Sequence, residues 1–204
     1  MFSLDIVILC AGDYPDNTIP LSILDNAQRI VCCDSAAEIF VERTGRTPWK
    51  IIGDCDSLSP EVQKKYEEIL IHVSEQENND LTKAVLYSQS QGFTHIAILG
   101  ATGKREDHTL GNISLLMDYQ EMGLDVRMFT DNGVFIPCSG ITTFEYPVNT
   151  KVSVFNFGST EMSSEGLEYP LYDLKKLWQG TLNRVVSSPF TINAQGNYLV
   201  FINY

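Results

Sequence analysis

The stretch Lys50-Ile51-Ile52-Gly53-Asp54-Cys55-Asp56-Ser57 decides the fold: a short apolar run feeds directly into a glycine and a D-x-D turn. An apolar run without alternation, stopped by a turn, reads as a strand buried on both faces of a parallel sheet. The pattern recurs outward in both directions. Ile30-Val31-Cys32-Cys33 ends at Asp34-Ser35, Ile6-Val7-Ile8-Leu9-Cys10 at Ala11-Gly12, and His95-Ile96-Ala97-Ile98-Leu99 at Gly100-Ala101. Helical stretches fall between these strands. Pro20 opens one through Gln28, and Asp34-Ser35 offers cap chemistry for another from Ala36 to Arg43, stopped by Gly45. Ser59-Pro60-Glu61 starts a third, with Val62, Tyr66, Ile69 and Leu70 on one face. Ile71-His72-Val73 is a further strand, after which Asn79 caps a helix burying Leu81, Ala84, Val85 and Ser88. A longer helix carries Leu110, Ile113, Leu116 and Met117 to Gly123, and Val126-Arg127-Met128-Phe129 closes the series. This alternation predicts an α/β, Rossmann-like domain with a mostly parallel sheet covered by helices. Ligands of such sheets bind beyond the carboxyl ends of the strands.

After residue 132 the texture changes. Val134-Phe135-Ile136, Ile141-Thr142-Thr143-Phe144, Val152-Ser153-Val154-Phe155 and Tyr198-Leu199-Val200-Phe201-Ile202 are short β-like runs separated by Gly, Pro, Asn and Ser. They predict a small C-terminal all-β sandwich, giving two domains, 1–132 and 133–204.

The 204 residues, 44% hydrophobic and 20% charged, suffice for a sizeable core. A net charge of −12 disfavours nucleic-acid and anionic-membrane partners, which need a basic surface. No apolar run approaches membrane-spanning length. The start, Met1-Phe2-Ser3-Leu4-Asp5, lacks a basic leader region, and five cysteines without C-x-x-C spacing read as reduced thiols. Cys10, Cys32 and Cys33 lie in apolar runs as small buried hydrophobes. The expected compartment is the cytoplasm.

Charge gathers at the strand ends. Asp54 and Asp56 follow one strand, Glu75-Gln76-Glu77-Asn78-Asn79-Asp80 opens a helix with more acid, and Gly100 through His108 carries the pair Lys104-Arg105. Converging carboxylates repel by about 4 kcal/mol per close pair at an effective dielectric near 20. A hard cation relieves that repulsion, and Mg²⁺ is its commonest identity. Acid for a metal, with glycine turns and a basic pair for phosphate, points to phosphoryl chemistry. Singly, each residue has a plainer reading. Asp54 and Asp56 suit an Asx turn, Asp80 a helix-dipole partner, Asp34 a cap, Arg105 and Asp107 a solvated pair, and His108 a polar helix position. Their common placement at strand ends of one sheet favours a site. His72 and His95 read as strand residues with no partner, and Trp49 and Trp178 as packing residues.

These segments, in this order, resemble the thiamine pyrophosphokinase family. Gly53-Asp54-Cys55-Asp56-Ser57 is similar to its G-D-x-D-S turn, and Glu75 through Lys83 to its E-Q-D-x-T-D-F-T-K segment. Gly100 through Leu116 resembles its G-x-x-G-R-x-D-[QH] stretch and following helix, with Arg105, Asp107 and His108 in register. Cys33-Asp34-Ser35-Ala36-Ala37 resembles a segment usually richer in glycine. Gly166 through Leu171 and Gly180 through Phe190 are similar to the G-L-x-[YW]-x-L and G-x-x-x-x-S-N-E-F segments.

The resemblance implies a homodimer that moves a pyrophosphoryl group from ATP to the hydroxyl of thiamine, releasing AMP, with thiamine near the subunit interface. It implies that Asp54, Asp56 and Asp80 hold Mg²⁺ and that Arg105 contacts phosphate. Gly103, Lys104, Glu77, Asn79 and His108 would complete the nucleotide site. Asp107 and Asp34 would orient the metal-bound shell or the attacking hydroxyl, and Ser187 and Ser188 would meet the pyrimidine ring. One carboxylate must accept the hydroxyl proton, and the sequence leaves open which. Departures from the family pattern are Glu77 for Asp, Asn79 for Thr, Ser35-Ala36 for glycines, and Ser188-Pro189 within the S-N-E-F segment. Three rivals stand beside this reading. They are a pyrophosphokinase for another heterocyclic alcohol such as a pterin, a non-catalytic thiamine or nucleotide sensor, and a metal-dependent nucleotidyl or glycosyl transferase.

Overall fold

The structure, a computed structural model, describes residues 4–54, 56 and 58–204. Six strands form its parallel half: β1 (Ile6–Leu9), β2 (Ile30–Cys33), β3 (Lys50–Gly53), β4 (Leu70–His72), β5 (His95–Leu99) and β6 (Asp125–Phe129), in the order β6-β5-β1-β2-β3-β4. The chain builds outward from β1 to β4, then returns so that β5 pairs with the other side of β1. A topological switch point therefore lies between β1 and its neighbours, where such sheets open a crevice.

Strand side chains alternate between two helical layers. Ile6, Ile8 and Ile98 pack against α4 (Asp80–Ser90) and α5 (Glu106–Glu121). Val7, Leu9 and Leu99 pack against α1 (Thr18–Asn26) and α2 (Ala36–Thr44), with α3 (Pro60–Lys65) at the margin. Both faces are dry, which is why these strands read as unbroken apolar runs.

The second half extends the same sheet. β7 (Gly133–Ser139) turns back on β6 antiparallel, then β13 (Asn197–Asn203), β9 (Lys151–Asn156) and β11 (Asn183–Arg184) follow, giving ten strands in one ladder. A second sheet of β10 (Thr160–Glu165), β12 (Phe190–Gln195) and β8 (Thr142–Phe144) covers one face of this extension. Val152, Val154 and Val200 interdigitate with Phe144, Phe190 and Ile192 between the layers. The sandwich expected from sequence is present, but one of its two sheets is continuous with the parallel sheet.

Several local expectations are corrected. α3 stops at Lys65, so Ile69 and Leu70 are not on its face; Leu70 already starts β4. Leu110 is 68% exposed near the start of α5, whereas Leu116, Met117 and Tyr119 are buried in the core with Ile113 and Leu115 partly buried against it. His95 has a partner, with Nδ1 3.1 Å from Asp5 Oδ2. Trp49 packs against Tyr87 and Phe93 as expected, whereas Trp178 is 68% exposed on a short 3-10 helix, Leu177–Gly180. β10, β11 and β12 were not anticipated. β10 is polar and buries Met162 alone, and β11 is two residues long.

Gly133 marks the junction of the two halves. A Cβ there would collide with the Ile202 carbonyl oxygen and lie 2.8 Å from the Phe201 ring. Gly111, on exposed helix α5, has open space around it. The same substitution should therefore act with opposite sign at the two positions. Gly133→Ala should cost about 1–3 kcal/mol in denaturant unfolding by forcing β7 from β13, while Gly111→Ala should add roughly 0.5–1 kcal/mol. Equal effects would show that the β7–β13 approach is not tight.

Candidate active site

A cleft of about 480 Å³ opens beyond the carboxyl ends of β1, β2, β3 and β5. Its floor is fixed by backbone. Cys10 N donates to Leu99 O at 2.8 Å, Gly12 N to Gly100 O at 2.8 Å, and Asp13 N to Thr102 O at 2.8 Å. The turn after β1 is thus zipped to the turn after β5. Gly12 sits so close to the carbonyls of Gly100 and Thr102 that no Cβ fits, and the Asp13 carboxylate packs directly on Gly103. Lys104 takes a left-handed conformation, φ 57°, and its Nζ donates to Ala11 O at 2.7 Å.

Acid enters from three elements. Asp34, 8% exposed, follows β2 with φ 45°, its N–H donating to Ile52 O at 2.9 Å. Gly53 makes room for it, since a Cβ there would stand 3.0 Å from Asp34 Cβ. The cap offered by Ser35 is not made by its side chain. Asp54 Oδ1 accepts the N–H of Asp56 at 3.2 Å, and Oδ2 accepts from Gln76 Nε2 at 3.4 Å. The Asp56 N–H first, then Gln76, holds the Asp54 carboxyl below the usual carboxylate range. Asp80 opens α4, and its Oδ1 lies 3.4 Å from Nζ of Lys83, whose side chain is 3% exposed. Beneath them Cys33 Sγ donates to Asp80 O at 3.6 Å and lies 4.0 Å from Cys10 Sγ. The Cys10 thiol and burial hold the Cys33 thiol well above its ordinary pKa, so Cys33 brings no charge to this floor.

Asn79 caps α4 as expected, its side-chain oxygen accepting from Thr82 N at 2.9 Å. Glu75 knots the preceding loop by accepting from Glu77 N at 2.8 Å and Asn78 N at 3.0 Å. On the opposite rim Asp107 grips Arg105 at both Nε, 3.1 Å, and Nη2, 2.6 Å. Arg105 first holds the Asp107 carboxyl down at about 2, helped by the His108 N–H.

The fold brings Asp34, Asp54, Asn79, Asp80, Gly103, Lys104, Arg105 and His108 to one cleft. Asp56, Glu77, Asp107, Ser187 and Ser188 do not line it. Asp56 is exposed and serves Asp54 through its backbone, and Ser187 and Ser188 are exposed on the connection between β11 and β12. Cys55 and Ser57 of the D-x-D turn lie outside the described residues. Sequence reading missed Lys83, Gln76 and Asn112 in the cleft wall. Lys83 stands three residues after Asp80, within the run of buried positions from Leu81 to Val85. A lysine there was the available signal. Three carboxylates, Asp34, Asp54 and Asp80, face three cations, Lys83, Lys104 and Arg105, in a protein of net charge −12.

Two family models match the chain. The thiamin pyrophosphokinase catalytic domain covers residues 21–128, and the thiamin pyrophosphokinase substrate-binding domain covers residues 133–201. Thiamine pyrophosphokinase 1 of Oryza sativa subsp. japonica is 32% identical over 136 residues, 55% of this chain and 51% of the relative, so the match spans about half of that protein. Thiamine pyrophosphokinase of Bacillus subtilis (strain 168) is 26% identical over 169 residues, 78% of this chain and 79% of the relative. The crystal structure of thiamine pyrophosphokinase from Bacillus subtilis superposes with a TM-score of 0.80 at 21% identity, covering 98% of this chain and 99% of that one. Yeast thiamin pyrophosphokinase gives 0.80 at 18% identity over 98% and 86%. At these identities the structural likeness speaks to fold.

The Arg105–Asp107 grip has a direct test. Folding lowers the Asp107 pKa, so the stabilisation from the pair is complete above the unfolded carboxylate value and is lost as pH falls toward 2. In Arg105→Gln the Asp107 carboxyl, followed by NMR, should titrate higher, toward the unperturbed value of about 3.9, with the His108 N–H still holding it below that value. An unmoved midpoint would remove Arg105 as the cause.

Proposed function

This chain belongs to the thiamin pyrophosphokinase family, and from that premise we propose that it transfers the pyrophosphoryl group of ATP to the hydroxyl of thiamine, yielding thiamine diphosphate and AMP. The observation that carries the reading is the cleft at the switch point. There, carboxylates from three separate elements meet three cations across a turn of backbone amides.

Among the described residues no group of three or more His, Cys, Asp and Glu side chains could hold a metal ion. That donor set still fits Mg²⁺, which commonly takes one or two carboxylates, substrate phosphate oxygens and water. Asp54 and Asp80 are the carboxylates that would hold it. Asp54 is kept ionised by its hydrogen bonds, and Lys83 restrains Asp80. When bound, Mg²⁺ supplies charge neutralisation for the polyphosphate. Asp56 completes the expected set in the family pattern and here supports Asp54.

The remaining chemistry falls to side chains already in place. Asp107 holds Nε and Nη2 of Arg105, which leaves the Nη1 donors for a phosphate oxygen. Lys83 and Lys104 add positive charge from the two sides of the cleft. Asp107, held down near 2, is a weak proton acceptor and serves to orient Arg105. Asp34, within the cleft and sheltered by Gly53, is the carboxylate we assign to accept the hydroxyl proton of the acceptor.

The acceptor half involves a second subunit. Ser187 and Ser188 stand apart from the cleft, and the sandwich around them exposes Tyr169, Tyr172, Leu177, Trp178, Leu182 and Val186. Exposed apolar and aromatic side chains gathered in one region mark an association surface. We assign it to a homodimer in which the sandwich of one subunit completes the thiamine site of the other. The compartment we assign is the cytoplasm, in keeping with the buried free thiols Cys10, Cys32, Cys33 and Cys138. Among the described residues no helix is long and apolar enough to cross a membrane.

Incubation with ATP, Mg²⁺ and thiamine should give AMP and thiamine diphosphate in equal amounts, with neither formed when thiamine is left out. ATP binding without thiamine-dependent AMP would overturn the reaction and leave a sensor or another acceptor. Asp54→Asn should lower kcat at least 10²-fold with little change in Tm, as the side chain is part-exposed. Leu182→Asp together with Trp178→Glu should yield monomers in sedimentation and lose turnover. Active monomers would place the whole acceptor site within one chain.

A further inference from the structure

A chain of side-chain amides joins the two rims of the cleft. Asn79 Oδ1 accepts the N–H of Thr82 at 2.9 Å. Asn79 Nδ2 donates to Asn112 Oδ1 at 2.9 Å, and Asn112 Nδ2 donates to Ala101 O at 2.8 Å. Both ends are backbone groups of fixed polarity, a donor at Thr82 and an acceptor at Ala101. Each side chain between them must accept on the Thr82 side and donate on the Ala101 side. Carboxamides do this through two different atoms, whereas a carboxylate cannot donate and a hydroxyl uses a single atom with shorter reach. The polarity of the ends also fixes the orientation of both amides.

The ends of this relay carry the charged groups. Thr82 lies in the first turn of α4 between Asp80 and Lys83, and Ala101 begins the turn that holds Gly103, Lys104 and Arg105. α4 and α5 are also tied by a second contact that does not involve the amides. Thr82 Oγ1 and Tyr119 Oη hydrogen-bond at 2.7 Å in the core, below the relay. The relay therefore adds a fixed span between two rims whose helices are already docked. Asn79 also explains one departure from the family pattern: threonine there still caps the helix but has no amide to give Asn112.

We propose that Asn112 is a positioning residue for the transfer reaction, acting through Asn79 to hold Asp80 and Lys83 at a set distance from Lys104 and Arg105. The proposal rests on the transfer reading above. Displacing reacting groups by about an ångström costs up to roughly 10²-fold in rate. Asn112→Asp and Asn79→Thr should each lower kcat by about 10- to 100-fold and leave the KM for thiamine nearly unchanged. The double variant should be no slower than the worse single, since either change breaks the same relay. Tyr119→Phe, which removes the deeper tie, should lower Tm while keeping kcat.

Multiplying losses in the double variant, undiminished singles, or a kcat loss in Tyr119→Phe equal to that of Asn112→Asp would overturn the proposal. If the unmodified protein gives no thiamine-dependent AMP, the transfer reading fails instead. The same double-variant comparison on Mg²⁺–ATP binding by calorimetry then decides: non-additive losses keep the relay, and additive or absent losses remove it.

Discussion

The pairing of β1 with β5 is the constraint on which the rest of the structure depends. Had the chain added β5 beyond β4, the turn after β1 would face empty sheet edge. Because β5 returns beside β1, three backbone hydrogen bonds lock Cys10, Gly12 and Asp13 to Leu99, Gly100 and Thr102. That zip sets where Lys104 stands, since its ammonium is tied back to Ala11. It also explains the glycine at position 12, where the two turns touch too closely for any side chain. Parallel pairing in the core thus becomes a cleft of about 480 Å³ at its end.

Within that opening, acidic and basic side chains are set against polar or charged partners. Hydrogen bonds from Asp56 and Gln76 hold Asp54 as a carboxylate, and Arg105 does the same for Asp107. Lys83 is almost wholly buried, which a lone ammonium tolerates poorly, and Asp80 beside it offsets that cost. The Cys33 thiol beneath is held well above its ordinary pKa by Cys10 and by burial, and it carries no charge into the cleft. Lys83, Lys104 and Arg105 gather in one cleft of an acidic protein, and the sign of the whole chain does not set the sign of one pocket.

The parallel half was legible because buried strands and capped helices leave short, periodic marks. Asn79 and Ser59 cap the helices their positions announced, and Gly45 ends α2 in the left-handed conformation. The helix ends were less legible, because propensity continues where packing stops. Ile69 and Leu70 continue an apolar rhythm that the chain breaks to start β4. β10 was hidden because a strand covering one face needs a single buried side chain, Met162, and its other residues look like loop. Lys83 was hidden for the opposite reason: an ionic side chain at a core position is visible as a site residue only once its acid partner is placed. For the expected site, eight residues share one cleft, whereas Ser187 and Ser188 are exposed on the connection between β11 and β12, apart from it.

The unbroken ten-stranded ladder limits how the molecule moves. β6 and β7 pair through Met128–Phe135 and Phe129–Val134, and β7 is paired along its length with β13. Swinging one half against the other as rigid lobes would tear this ladder, each lost bond leaving a donor and an acceptor bare in the sheet. Domain-closing mechanics of the kind that two lobes on a linker allow are therefore denied to this chain. Whatever opens and shuts around a ligand has to be small, such as the turns at the strand ends. The ladder itself stays paired from β4 to β11 while they move.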